Sequence, residues 1–168
     1  MAQYFVDFCK SHDLLEAIKR AGQILQNGGL VAFPTETVYG LGGNALDPRA
    51  SMKIYAAKGR PSDNPLIIHI ADMSSLPKIV SEIPAKAQLL AEKFWPGPLT
   101  MILPKAEIVP GETTGGLDSV AVRFPSDLIA QELIKAAGGF VAAPSANTSG
   151  RPSPTRAEHV EEDLGDAI

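Results

Sequence analysis

The chain has 168 residues, of which 45% are hydrophobic and 20% are charged, and its formal net charge is −4 at neutral pH. This balance excludes a largely disordered chain and a generally basic nucleic-acid coat protein. One cysteine, Cys9, excludes an intramolecular disulfide and a cysteine-rich zinc site, and no apolar run approaches the roughly 18 residues of a membrane span.

Residues 1–10 lack the basic start and long apolar stretch of a signal peptide. A reducing compartment is the simplest location for a chain with one cysteine. We therefore expect a cytoplasmic protein without membrane contact, and one domain over residues 1–168, because no linker separates the elements described next.

Helical periodicity alternates with short apolar runs along the chain. The predicted helices are residues 14–25 behind Ser11, 48–58 between Asp47 and Gly59, 84–94, 126–137 capped by Ser126, and 155–165 with a Thr155/Glu158 capping box. The predicted strands are residues 30–33, 66–70, 99–103, 120–124 and 140–143, and a surface loop is predicted at 108–118. The alternation predicts an α/β fold, with helices packed on a sheet.

Two distant segments resemble each other without gaps, residues 28–40 and 138–150. Each contains a double glycine, a short apolar strand, a proline and a hydroxyl residue. We expect each proline to end a central strand at its carboxyl edge, where open α/β sheets bind ligands. If these strands are neighbours, one crevice is lined by Thr35, Thr37, Ser145 and Asn147. Ordinary turns at strand ends are the alternative, since these residue types are common in turns.

Positive charge is concentrated in residues 48–62, which contain Arg49, Lys53, Lys58 and Arg60 and no acid. These basic side chains either bind an anion or form a solvated helix face. Phosphate-loop, zinc-protease and serine-hydrolase motifs are absent. The glycines at residues 40–43 match a dinucleotide pattern loosely, but they begin six residues after Pro34 instead of directly at a strand end.

Few side chains offer nucleophilic or acid–base chemistry. Cys9 is expected to be a packed thiol, and His12 and His159 are expected on solvated helix faces. His69 interrupts an apolar strand and is either a core imidazole or a ligand contact. A neutral and cationic crevice of this kind suits anionic substrates in phosphoryl or nucleotidyl transfer, where alignment and charge neutralisation dominate.

Five motifs in order carry a family resemblance: residues 34–42 (PTETVYGLG), 58–61 (KGRP) with 64–66 (NPL), 95–100 (WPGPLT), 122–125 (VRFP) and 144–147 (PSAN). Together they make the chain, from about residue 12 to 157, resemble the YrdC-like family of threonylcarbamoyl-adenylate synthases. The resemblance implies a twisted mixed β-sheet flanked by helices around a deep basic cavity, the YrdC/RibB-like fold. It also implies that L-threonine, bicarbonate or CO2, and ATP react to L-threonylcarbamoyl-adenylate and pyrophosphate.

The same resemblance implies residue roles. Contacts to ATP are expected from Lys58, Arg60, Asn64, Ser119, Ser145, Asn147 and Ser153, with Lys58 and Arg60 as the catalytic cations. Contacts to threonine are expected from Thr35, Tyr39, His69, Arg123 and Ala143. Mg²⁺ is expected on ATP, without a metal site of the protein and without an organic cofactor. The product is expected to supply the machinery that transfers threonylcarbamoyl to tRNA.

Family members usually continue past the position of Ile168 with a strand that completes the pocket, so we expect the C-terminal edge of the domain to be absent. Two alternatives differ in class from the synthase. One is a module of the same fold that binds tRNA or double-stranded RNA without synthase activity, with an affinity that falls steeply with salt. The other is an enzyme acting on other carbamoyl-adenylates or reversing the modification.

Overall fold

The structure is a computed structural model that describes residues 14–168. The helices of this part of the chain are α1 (Leu14–Gln26), α2 (Pro48–Lys58), α3 (Leu76–Ile79), α4 (Ala85–Phe94), α5 (Leu128–Ala136) and α6 (Ala157–Leu164). The strands are β1 (Val31–Phe33), β2 (Gly40–Asn44), β3 (Ile67–His69), β4 (Thr100–Pro104), β5 (Ser119–Arg123) and β6 (Val141–Ala142). No described helix is long and apolar enough to span a bilayer.

Helix α2 begins and ends where its local signals predict. The Asp47 carboxylate accepts the N–H of Arg49 at 2.9 Å, which satisfies a donor that the first helical turn leaves without a partner. Gly59 ends the helix with a φ of 59°, a left-handed conformation that side chains with a Cβ rarely adopt. Helix α2 therefore delivers Lys58 and Arg60 at a defined position.

Two predicted caps were wrong. Asp127, not Ser126, caps α5, because its carboxylate accepts the N–H of Ala130 at 2.9 Å. The Thr155/Glu158 capping box does not form, since α6 begins at Ala157 and has no side-chain cap. In both cases the sequence offered adjacent polar residues, and the course of the preceding loop decides which of them stands at the helix start.

The strands form one mixed sheet in the order β1-β2-β6-β3-β5-β4. Only the β3–β5 pair is parallel among these neighbours, and the other pairs are antiparallel. The mixed α/β sheet implied by the resemblance is thus confirmed. Strand β1 lies at an edge and β2 separates it from β6, so the expectation that Pro34 ends a central strand was wrong.

Strand β2 was not predicted, because three of its five residues are glycine and none is β-branched. Tertiary packing explains those glycines. A Cβ at Gly42 would lie 2.9 Å from Val141 Cγ1 and 3.0 Å from the Phe33 ring, and one at Gly43 would lie 3.1 Å from Ile54. The glycines let β2 lie tightly between its neighbours.

Two hydrophobic clusters cover opposite faces of the sheet. Helices α1 and α5 pack together on one face, where a Cβ at Gly22 would lie 2.6 Å from Ala136. The other cluster includes residues of α2, α3, α4 and α6. Val141 belongs to the first cluster and Ala142 to the second, as expected for successive residues of a strand.

The predicted loop at residues 108–118 is a run of turns, yet two of its threonines are buried. Thr113 Oγ1 donates to the Ala45 carbonyl at 2.8 Å and lies 2.8 Å from Ser51 Oγ. The Thr113 carbonyl accepts the N–H of Leu66 at 3.0 Å. The loop is therefore anchored to both α2 and the chain just before β3.

Candidate functional site

A cavity of about 330 Å³ opens beside the ends of β3 and β5. Its lining comes from the segment after β1, the segment after α2, the two parallel strands, and the turn after β6. The lining residues are Thr35, Val38, Tyr39, Gly40, Arg60, Pro65, Ile67, His69, Arg123, Ala143, Pro144 and Ser145. The lining contains two arginines and no carboxylate, so it favours an anionic ligand.

Strand pairing brings His69 and Arg123 into this cavity. The two residues are opposite each other in the parallel β3–β5 pair, so their side chains leave the same face of the sheet. Their neighbours Ile68 and Val122 pack into the core on the opposite face. The Phe33 ring meets His69 edge to face, with 6.1 Å between centroids.

His69 is both a core imidazole and a cavity residue. Burial lowers its pKa to about 4, and the nearby positive charge of Arg123 acts in the same direction. Nδ1 lies 3.1 Å from the Ile67 carbonyl oxygen, to which it donates. The imidazole is therefore neutral near pH 7 and adds no charge to the cavity.

Arg123 is held by two side chains of the 34–42 motif. Its Nη2 lies 2.9 Å from Glu36 Oε1 and donates to Thr37 Oγ1 at 3.1 Å. Its Nε is buried and has no hydrogen-bond partner within residues 14–168. Glu36 lies inside the 34–42 motif but is not among the residues predicted to form the site.

The electrostatic environment of Glu36 keeps its carboxylate ionised, as an ion pair with Arg123 requires. Burial alone would raise its pKa, but hydrogen bonds from Arg123 and from the backbone N–H groups of Glu36 and Ser126 outweigh that effect. Its pKa is consequently below the usual range. Glu36 therefore remains ionised beside Arg123 near neutral pH.

A turn shapes the wall that contains Thr35 and Tyr39. Thr35 Oγ1 donates to the Val38 carbonyl at 2.7 Å and accepts the N–H of Thr37 at 3.2 Å. The Tyr39 N–H donates to the Pro154 carbonyl, and the Tyr39 carbonyl accepts the N–H of Ala146, each at 2.8 Å. These bonds join the motif to the chain that follows β6.

Arg60 is oriented by residues only four and five positions further on. Its Nη2 donates to Asn64 Oδ1 at 2.6 Å and to the Pro65 carbonyl at 3.1 Å, and its Nε donates to the Asn64 carbonyl at 3.1 Å. Nη1 takes no part in these bonds. Asn64 thus acts on the cavity through Arg60, without lining it.

Lys58 is 2% exposed and lies behind the cavity wall. Its ammonium group donates to the backbone carbonyls of Ser145 and Asn147. Burial lowers its pKa to about 8, Arg60 acts in the same direction, and Asp163 opposes both. Lys58 therefore holds the turn that carries Ser145.

Most predicted site residues meet at this cavity. Seven line it: Thr35, Tyr39, Arg60, His69, Arg123, Ala143 and Ser145. Lys58 and Asn64 bind lining residues, and Asn147 is buried behind Ser145 with its Oδ1 unpartnered among the described residues. Ser119 on β5 and the exposed Ser153 are not among the lining residues. The ligand contacts assigned to all these residues stay predictions.

The remaining lining residues were missed for a clear reason. Val38, Gly40, Pro65 and Pro144 lie within the quoted motifs but carry no reactive group, and Ile67 carries only a strand signal. The two similar segments do meet, since Gly40 is bridged to Ser145 and the Leu41 N–H donates to the Pro144 carbonyl at 2.9 Å. Thr35 and Ser145 therefore share one crevice, although their strands are not neighbours.

Other candidate groups lie elsewhere. Cys9 and His12 are outside the described residues, and His159 is exposed on α6 as expected. Within residues 14–168, no group of three or more His, Cys, Asp or Glu side chains is placed to hold a metal ion.

A family model named for Sua5, YciO and YrdC, and described as telomere recombination, matches residues 23–168. The chain belongs to the Sua5/YciO/YrdC family. The family resemblance stated from the five motifs is thereby confirmed.

Two relatives that this chain is similar to are named threonylcarbamoyl-AMP synthase. The one from Pyrococcus abyssi is 60% identical over 147 residues, covering 88% of this chain and 43% of the relative. The one from Bacillus subtilis is 54% identical over 152 residues, covering 90% of this chain and 44% of the relative. The crystal structure of P. abyssi Sua5 complexed with L-threonine matches with a TM-score of 0.90 and 57% identity, covering 91% of this chain and 45% of that chain. The chain spans less than half the length of these relatives.

Proposed function

We propose that the chain forms L-threonylcarbamoyl-adenylate and pyrophosphate from L-threonine, bicarbonate or CO2, and ATP, for threonylcarbamoyladenosine modification of tRNA. The observation that carries the proposal is a cavity lined by Arg60 and Arg123 beside a neutral His69, without a lining carboxylate. The names of the relatives from P. abyssi and B. subtilis support the same reaction.

The reaction has two bond-forming steps. The threonine amine adds to CO2, which forms a C–N bond, releases a proton and gives a carbamate. A carbamate oxygen then attacks the α-phosphorus of ATP, and the bond from that phosphorus to the bridging oxygen breaks as pyrophosphate leaves. Both the carbamate and the pyrophosphate are anions, so positive charge and exclusion of water favour the sequence.

The threonine end of the cavity is assigned to the wall around Arg123. A guanidinium is a fitting partner for the substrate carboxylate, and Arg123 lines the cavity. Thr35, Tyr39, His69 and Ala143 line the same cavity. Neutral His69 adds no charge that would repel the substrate ammonium group.

The ATP end is assigned to Arg60 and the turn at residues 145–147. Arg60 brings charge to the phosphates, in an orientation held by Asn64. Lys58 contributes by holding the carbonyls of Ser145 and Asn147, so the Ser145 side chain stays at the cavity. Ser119 and Ser153 remain assigned to ATP by family resemblance alone.

Mg²⁺ enters with ATP as part of the substrate complex. No lining residue is a carboxylate, the ligand type that Mg²⁺ prefers. The residues present therefore do not form a resident metal site, and no step is assigned to a metal held by the protein. Contact with tRNA, and the transferase that receives the product, remain proposals from the resemblance.

The test is mass spectrometry of products after incubation with ATP, Mg²⁺, L-threonine and bicarbonate, with serine and no-amino-acid controls. Threonylcarbamoyl-adenylate together with pyrophosphate is the expected result. Arg60→Ala should abolish the product, whereas Arg49→Ala, at an exposed arginine in the first turn of α2, should not.

An unchanged chain that binds ATP but yields no adenylate would show that residues 1–168 do not suffice for synthesis. Salt-sensitive binding of double-stranded RNA, without ATP binding, would instead identify an RNA-binding module. A parallel titration with ATP separates these outcomes.

A further inference from the structure

The turn behind the cavity, residues 145–151, is held from two sides. Only the residue on one side, Lys58, is among the predicted site residues. Lys58 binds it from α2 through the carbonyls of Ser145 and Asn147, and the Lys58 carbonyl accepts the N–H of Ser149 at 2.8 Å. From the other side, the turn is bound by one residue of α6, Asp163.

Three oxygen atoms of Asp163 accept from donors on this turn. Its Oδ2 accepts the N–H of Thr148 at 3.0 Å, and its backbone carbonyl accepts the Thr148 hydroxyl at 3.0 Å. Its Oδ1 is paired with Arg151 Nη1. The Asp163 side chain is 8% exposed, whereas that of Arg151 is 55% exposed, so the carboxylate is directed into the protein.

The segment between these anchors is rigidly bonded within itself. Asn147 Nδ2 donates to the Thr148 and Arg151 carbonyls, each at 2.9 Å. Thr148 therefore lies between a residue held by Lys58 and a residue paired with Asp163. A displacement of Thr148 must therefore also displace Asn147 and, through the preceding residue, Ser145 at the cavity.

We propose that Asp163 is a positioning residue for the cavity: it fixes Thr148 from α6, so that Lys58 and Asp163 together clamp the turn that presents Ser145. The clamp itself consists of contacts within the fold. Its consequence for nucleotide binding rests on the proposed function.

Charge supports the same arrangement. The acid that raises the pKa of Lys58 is Asp163, against the lowering caused by burial and by Arg60. A negative charge on α6 therefore helps to keep the Lys58 amine protonated, and the positive charge strengthens its hydrogen bonds to both carbonyls.

The first experiment needs no ligand. NMR-detected hydrogen exchange of the Ser149 amide is measured in the unchanged chain, in Asp163→Asn, in Asp163→Ala and in Glu162→Gln, a control at the neighbouring exposed acid. The Ser149 amide donates to Lys58, not to Asp163, so faster exchange in the Asp163 variants reports coupling across the turn. We expect at least severalfold faster exchange in Asp163→Ala, an intermediate value in Asp163→Asn, and no change in the control.

The second readout is the titration midpoint of Lys58, followed at its side-chain carbon resonances. Asp163→Asn should lower the midpoint by roughly half a pH unit or more, because it removes a nearby opposite charge and keeps the side-chain shape. Arg151→Gln, which leaves the Asp163 charge in place, should not lower it. An unaltered Ser149 exchange rate in folded Asp163→Ala, or an unaltered Lys58 midpoint in Asp163→Asn, overturns the proposal.

ATP affinity is then compared among the same variants by calorimetry. A loss in both Asp163 variants with an unchanged control extends the clamp to nucleotide binding. If the unchanged chain binds no ATP, the proposed function fails, while the exchange and titration results still decide the clamp.

Discussion

Arg123, a buried residue that lines the cavity, forms an ion pair with Glu36, and its Nη2 lies 2.9 Å from Glu36 Oε1. The Arg123 side chain is 10% exposed and that of Glu36 is 20% exposed. Arginine so far from water needs a partner, and Glu36 supplies it from the segment that also contains Thr35 and Thr37. The proposed carboxylate-binding group is therefore positioned by the motif that forms the adjacent wall.

Removing the Glu36 carboxylate should destabilise the fold and weaken threonine binding. Glu36→Ala leaves a buried guanidinium with one fewer acceptor, which costs about 1–3 kcal/mol. Glu36→Gln keeps an acceptor of similar shape and should cost less. The free energy of unfolding is measured by urea denaturation and threonine affinity by calorimetry. Equal stability of Glu36→Ala and the unchanged chain would contradict the role given to this ion pair.

Exchanging each cavity arginine for lysine should separate the two substrate ends. Arg123→Lys keeps the charge but loses the planar pair of donors, so the KM for threonine should rise roughly tenfold or more while ATP affinity is retained. Arg60→Lys should show the reverse pattern, because Arg60 is assigned to the phosphates.

The two lysine variants act as controls for each other. Steady-state kinetics with one substrate varied at a time supplies both KM values. If Arg123→Lys weakens ATP and threonine equally, the cavity is not divided as proposed.

Signals that act within a few residues predicted much of the fold. Asp47 and Gly59 mark the limits of α2 because a cap and a left-handed glycine operate locally. Strand β2 was not predicted because its glycines are required by close packing against Val141 and Phe33. Val141 is distant in sequence and Phe33 lies on the neighbouring strand, so the local sequence does not reveal either contact. Neighbour relations between strands, such as β2 between β1 and β6, have no local signal at all.

The residues of the site likewise divide into those recognisable from local motifs and those that depend on contacts between distant parts of the chain. Nine of the residues that line the cavity lie within the motifs, since motif residues can be recognised without knowing their contacts. The orientation of Lys58 toward two backbone carbonyls was not predictable, because those carbonyls lie on a turn after β6. Glu36 and Asp163 were missed for the same reason, as each acts on a residue that only the fold brings near.

Thr113→Val should destabilise the protein although it preserves the shape of the side chain. Thr113 is fully buried, and its hydroxyl contacts both the Ala45 carbonyl and Ser51 Oγ at 2.8 Å. Loss of that hydroxyl leaves two buried polar groups with one partner fewer, which costs about 1–3 kcal/mol. Urea denaturation measures the change, and Thr113→Ser, which keeps the hydroxyl, is the control. A valine variant as stable as the unchanged chain would show that this buried network adds nothing to stability.

The buried imidazole of His69 should make stability depend on pH in a defined window. Its pKa is lowered from 6.5 to about 4 by burial and by Arg123, so the unfolded chain binds a proton there that the folded chain does not. Stability should therefore be complete above about pH 6.5 and fall as the pH drops toward 4. The expected loss from this residue is on the order of 3 kcal/mol.

His69→Gln removes the titrating ring, so its free energy of unfolding should change less between pH 7 and pH 4 than that of the unchanged chain. The same substitution at exposed His159 is the matched control. Glu36, whose pKa is lowered, loses its contribution only as the pH falls below the usual carboxyl range, and both chains share that loss. Urea denaturation at several pH values gives the difference between the variants, and parallel pH profiles of His69→Gln and the unchanged chain would show that His69 takes up its proton equally well in the folded state.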